Sequence, residues 1–317
     1  MYFPSAYFRA KARAALKGHW QTALLIALIV SLPSLLAQGI TAFTGNDPTV
    51  RLQGIYLAAA RDGVLSRELL VTEAESYLRS SGFWTAVGLN AAAWLVTPCL
   101  TLGMYCWMLN RLRGQADQPV STVFCRARLF FKAIGLQLLV ALKVILWMLP
   151  GMAMAAGAYV PLLRAGRDPA AVASALNLSN GLMLPAMLLM AVPGIMAALR
   201  YAMSDFILAD EPETGILECV RRSKQHMKEM KRLLFPLMLS FLVWYLLGII
   251  LSSYLSAFGT GTFGLLAQML LNLVLTVYVG ASETAFFLET APGKIPKREN
   301  RPGPGEEGAD PGPDPLN

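Results

Sequence analysis

Four ionisable residues stand inside long apolar stretches of this chain: Lys143, Arg200, Asp205 and Glu283. A charge placed in hydrocarbon costs about 2.5–3.5 kcal/mol on insertion scales, so such residues face a helix bundle and find partners. Two chemistries fit the group. It could line a polar pathway or hold an anionic ligand. It could also be structural, with Arg200 paired to Glu283 and Lys143 reaching for the interface with its long stem. The structural reading is the simpler, because a transport site usually sits at the bilayer midplane and these four lie in the cytoplasmic half of their stretches, Asp205 and Glu283 near the interface and Arg200 and Lys143 deeper. A second set, Arg221, Lys224, Lys228 and Lys231, lines one flank of an amphipathic segment and is suited to anionic lipid headgroups.

Other chemistry finds little support. Gly259, Gly261 and Gly264 match the spacing of a dinucleotide-binding loop, but no strand precedes them and they lie in a tight turn between apolar stretches. His19, His226, Cys125 and Cys219 have no metal-ligand spacing. Neither a zinc-protease motif, a nucleophile elbow nor a phosphate-binding loop occurs. The expectation is therefore a non-enzymatic protein without cofactor or metal. Cys99 and Cys106 are seven apart and read as small packing residues, and structural disulfides are not expected. Asn177-Leu-Ser179 fits a glycosylation acceptor but reads as a chance match.

The elements that must position these residues are six apolar stretches, 20–43, 83–109, 131–159, 182–208, 233–258 and 263–288. Each exceeds the roughly 20 helical residues that cross a hydrocarbon core. A bilayer offers backbone amides no water, so each must be helical. The predicted fold is an all-α polytopic bundle of six transmembrane helices arranged as three hairpins. A basic amphipathic segment opens each hairpin: Phe8 to Trp20, Phe124 to Lys132, and Ile216 to Leu234. In the third, Ile216, Val220, Met227, Met230 and Leu234 share one face, which would lie on the inner leaflet. Pro33, Pro98, Pro150, Pro185 and Pro193 are expected to kink the spans. Asp47-Pro48 and Asp168-Pro169 predict short helices in the outer loops, and Thr72 with Glu75 predicts another running to about Arg79.

Charge sets the orientation. Nineteen Lys and Arg residues fall on one side of the spans and six on the other, which places both termini in the cytoplasm. This bias accounts for the net charge of +7, so no nucleic-acid partner is implied; the expected partner is the bilayer, anionic lipids included. Only 15% of residues are charged and mean hydropathy is +0.49, which fits one membrane domain over 1–291. Residues 292–317 hold seven prolines and five glycines and are expected to be a disordered cytoplasmic tail.

Several segments resemble one bacterial membrane family, the domain of unknown function 975. They are Phe8 to Trp20, Val192 to Pro212, Ser223 to Lys231, Leu239 to Trp244, and Thr284 to Glu289. That pattern more often has Lys near the position of Arg200, and Tyr201 is the closer match. The resemblance implies an integral protein of a bacterial cell membrane, of the Gram-positive type, and carries no activity with it. The reading reached from residues and resemblance together is a protein that organises or senses the cytoplasmic leaflet through its basic segments. The alternative is a small-molecule or ion transporter, or a subunit of one, using the kinked helices and the four intramembrane charges.

Overall fold

A computed structural model describes residues 5–44, 72, 75–115, 118–158, 160–161, 169–257 and 261–290. The expected loop helix at Asp47-Pro48 and the 292–317 tail lie outside these residues. No strand occurs among the described residues. The elements are α1 (Ser5–Leu16), α2 (Trp20–Phe43), α3 (Ser81–Leu112), two 3-10 turns (Val120–Phe124 and Ala127–Leu129), α4 (Phe130–Ala158), α5 (Pro169–Tyr201), α6 (Ser204–Asp210), α7 (Ile216–Ala257) and α8 (Gly261–Thr290).

Six of these, α2, α3, α4, α5, α7 and α8, contain stretches long and apolar enough to cross a membrane. Their outward faces support that assignment. On α4 alone Leu138, Leu142, Ile145, Leu146 and Leu149 are about half exposed. Water would penalise each such side chain in proportion to its apolar area, and hydrocarbon would not. The bundle is built as three antiparallel hairpins, α2/α3, α4/α5 and α7/α8, as expected. In α3 and α8 half of the apolar stretch is buried within the chain, a larger share than in the other four, so these two are the central helices.

Close backbone approach holds the hairpins and the basic end. At Gly151 on α4, an added Cβ would lie 2.4 Å from the Met190 nitrogen on α5. At Gly103 on α3, it would lie 1.8 Å from the Val123 carbonyl oxygen in the first 3-10 turn. Only glycine permits either contact.

Two local expectations are revised and a third is met. Asp168-Pro169 does not open a separate loop helix: Pro169 is the first residue of α5, which continues through Pro185 and Pro193. No strong breaker interrupts residues 170–181, and Ser179 Oγ donates to Ala158 O at 2.6 Å, tying this extension to α4. Ser179 is thus buried inside a helix. The third basic segment is not an independent interfacial helix; it is the first part, about five turns, of α7, one helix of 42 residues. Residues 75–79 are helical and stop where the sequence suggests, and Ser80 then caps α3 by accepting from Phe83 N at 3.2 Å.

Candidate functional site

The basic end of the bundle, where α1, α6, the 3-10 turns and the start of α7 converge, carries most of the polar structure. The first and third basic segments turn their apolar faces toward protein. In α1 the buried face is Phe8, Ala12 and Leu16, each at most 1% exposed, and Phe8 meets Phe286 of α8 edge-on at 5.3 Å. Along α7, Val220, Met227 and Leu234 are buried and Ile216 and Met230 pack against the same cluster, which Phe206 of α6 and Phe287 of α8 help to fill. The middle segment runs from the end of the first 3-10 turn through the second into α4, with Phe124 and Phe131 exposed; Val123, just before it, is buried against α3. The face expected to lie on the leaflet is therefore occupied by the chain's own helices. The physical reason is supply: α6 and the end of α8 present enough aromatic surface to cover it.

The cations divide into two groups. One group is used internally. Lys11 pairs with Glu289, fixing α1 to the end of α8. Arg111 donates to Ala15 O at 3.2 Å and contacts His19 at 2.6 Å, closing the α1–α2 turn. Arg113 pairs with Asp210 at 2.7 Å. Arg126 donates to Ala209 O and Lys132 to Pro212 O, each at 2.9 Å. Cations at these carbonyls satisfy groups that the end of α6 leaves open and complement its dipole. Arg222 pairs with Glu211 and with Glu218, and Arg221 also takes Glu218. Hydrogen bonds from Arg221 and then Arg222 hold the Glu218 carboxyl at about 2. The second group, Arg13, Lys17, Arg128, Lys224, Lys228 and Arg232, is exposed and has no ion-pair or hydrogen-bond partner among the described residues.

The candidate lipid contacts therefore differ from one another. Lys224 and Lys228 are exposed and unpaired, while Arg221 is engaged by Glu218. Lys231 is half-buried, within Coulombic range of Arg200.

The four intramembrane charges are sorted by sign. The expected Arg200–Glu283 pair does not form. The Arg200 guanidinium lies 5.4 Å from the centre of the Trp147 ring, a cation–π contact. Lys143 is one turn before Trp147, and the Gly151–Met190 contact puts it opposite residue 198, at a depth close to Arg200. Asp205 and Glu283 lie instead within Coulombic range of each other and of Tyr105. Tyr105 stacks on Phe206 with ring centres 4.2 Å apart. Asp205 is carried away from Arg200 by a break in the fourth span: α5 ends at Tyr201 and α6 restarts at Ser204.

A buried serine holds that break. Ser223 of α7, fully buried, donates through Oγ to Arg200 O and accepts from Met203 N, both at 3.2 Å. Sequence reasoning did not single it out. Its position between Val220 and Met227 on the apolar stripe was the available signal. A second polar tie is His226, which burial pushes below the usual imidazole range. Its Nε2 is 2.9 Å from Thr290 Oγ1, whose own hydrogen goes to Phe286 O at 2.7 Å. The hydroxyl oxygen therefore accepts, and His226 carries its proton on Nε2.

No group of three or more His, Cys, Asp or Glu side chains is arranged to hold a metal ion among the described residues. A family model described as "Protein of unknown function (DUF975)" matches residues 1–291. The chain belongs to this family. No curated protein and no solved structure matches it. The matched region of this DUF975 member takes in all six apolar helices and the whole basic end.

Proposed function

We propose that this DUF975 member is a non-enzymatic protein of a bacterial cell membrane that gathers anionic lipid at the cytoplasmic leaflet, with its basic end and both termini in the cytoplasm. The carrying observation is the set of six exposed cations left after the internal ion pairs are made. They are mounted on docked helices and turns, so headgroup binding needs no insertion of an amphipathic face. Phe124 and Phe131, 56% and 84% exposed, flank Arg128 and suit the depth where aromatic rings meet headgroups. Each cation near an anionic surface is worth about 1 kcal/mol, roughly fivefold in association. The test reconstitutes the full chain in vesicles of zwitterionic lipid doped with labelled anionic lipid and measures which lipid contacts the protein. Wild type should select the anionic lipid. The combined Lys224→Gln, Lys228→Gln and Arg232→Gln variant should lose most of that selectivity. Equal selectivity in the two proteins would refute the reading.

One observation favours a second reading, a cation- or proton-coupled transporter. Asp205 and Glu283 lie within Coulombic range of each other, without an ion-pair partner among the described residues, beside a broken helix. Interrupted spans with nearby carboxylates are a recurring architecture of coupled transporters. Proteoliposomes under a pH or sodium gradient should then show protein-dependent flux that Asp205→Asn with Glu283→Gln abolishes. Flux indistinguishable from empty vesicles removes this reading.

A further inference from the structure

Two thiols meet where the α3–α4 connection folds back onto α3. Cys106 Sγ, buried on α3, is 3.6 Å from Sγ of Cys125, an exposed residue that closes the first 3-10 turn. The contact is set by its surroundings rather than by a mobile loop. Two turns of α3 receive the 3-10 turn: Gly103 allows the Val123 backbone to touch the helix, and Trp107 Nε1 donates to Gln118 O at 3.3 Å. Cys106 lies between these two anchors. The sulfurs are already at van der Waals separation, and a covalent bond of about 2.0 Å needs only a modest torsional adjustment of two side chains.

We propose that Cys106 and Cys125 are a reversible dithiol switch oxidised by hydroperoxides, which in the oxidised form staples the connection to α3. Cys125 is the accessible partner and attacks first. Its thiolate displaces hydroxide from hydrogen peroxide as the O–O bond breaks. The sulfur becomes a sulfenic acid, and the hydroxide takes up a proton as water. The Cys106 thiolate then attacks the sulfenic sulfur, the S–O bond breaks, and a second water leaves. Two thiols lose two electrons in total, and one peroxide is reduced to two waters. A small dithiol reverses the process by exchange through a mixed disulfide. The staple would fix the segment that presents Phe124, Arg126 and Arg128, so the switch stands on its own geometry whatever that segment contacts.

The full chain in lipid nanodiscs is treated with hydrogen peroxide, quenched with N-ethylmaleimide, and its remaining thiols are counted by a mass-tagged maleimide after denaturation. Two of the four thiols should vanish together, at a rate that rises with pH because the thiolate is the nucleophile. Peptide sequencing should locate the link at 106 and 125, and dithiothreitol should restore both thiols. Cys125→Ser, at an exposed site where folding is not at risk, should block the loss, and Cys219→Ser should leave it unchanged. Retention of all four thiols, a link from Cys125 to Cys99, or a bond between two molecules would each overturn the proposal.

Discussion

Gly103→Ala should unseat the 3-10 turn at Val120–Phe124 from α3 and be among the most damaging single-methyl changes in the chain. The added carbon would lie 1.8 Å from Val123 O, 2.6 Å from its carbonyl carbon and 2.8 Å from its Cα. All three are backbone atoms, so no rotamer change relieves the clash. Helix and turn must separate, exposing Val123 and Trp107, each now 1% exposed, and stretching the Trp107–Gln118 hydrogen bond. Overpacking of this kind costs about 1–3 kcal/mol or more, and the lost hydrogen bond adds about 1 kcal/mol. Unfolding in detergent, followed by Trp fluorescence, should show that loss. Gly88→Ala on the same helix is the control, because nothing lies within 4 Å of its added carbon. There alanine should be neutral or slightly stabilising. Equal behaviour of the two variants would mean that the turn does not rest on α3.

Phe8→Ala should free α1 from the bundle at a cost of about 3–5 kcal/mol, the range for emptying a fully buried aromatic site. Phe8 is completely buried against α8 and contacts Phe286 edge-on. Its loss removes the anchor that keeps the Lys11–Glu289 pair and the Arg111–Ala15 bond aligned. Trypsin should then cut readily at Lys11 and Arg13 in a protein otherwise intact, and detergent-solubilised stability should fall. A helix resting on lipid predicts another outcome: no change in detergent and a change only in vesicles. That result would restore the leaflet-lying geometry for α1.

The spans were legible because predominantly apolar runs of more than 20 residues have one stable solution in a bilayer. The pairing into hairpins followed from the order of the spans, with a basic segment opening each pair. What escaped was rotation and continuity. Arg200 and Glu283 have opposite signs and similar depth, yet partner choice depends on which way each helix turns, and the break at residues 202–203 sends Asp205, not Arg200, toward Glu283. The stripe from Ile216 to Leu234 was read correctly as one face, but periodicity does not say whether lipid or protein covers it. Likewise the positive bias marked Arg126 and Lys132 as topological charges. Their second role, on the carbonyls of Ala209 and Pro212, depends on a chain fold that local composition does not encode. Cys106 and Cys125 carry no spacing signal, since their meeting depends on a reversal around Pro119.

The continuity of α7 has a mechanical corollary. Residues 216–229 extend the crossing part of that helix by about 20 Å, and Pro236 lies just inside the crossing part. A bilayer that thins or thickens changes the angle at which a span sits. A swing of about 10° would move the tip of this rod by roughly 3–4 Å, carrying Lys224 and Lys228 with it. Because Ser223 grips the gap between α5 and α6 from the same rod, a strain applied from the membrane's thickness should be felt there as well.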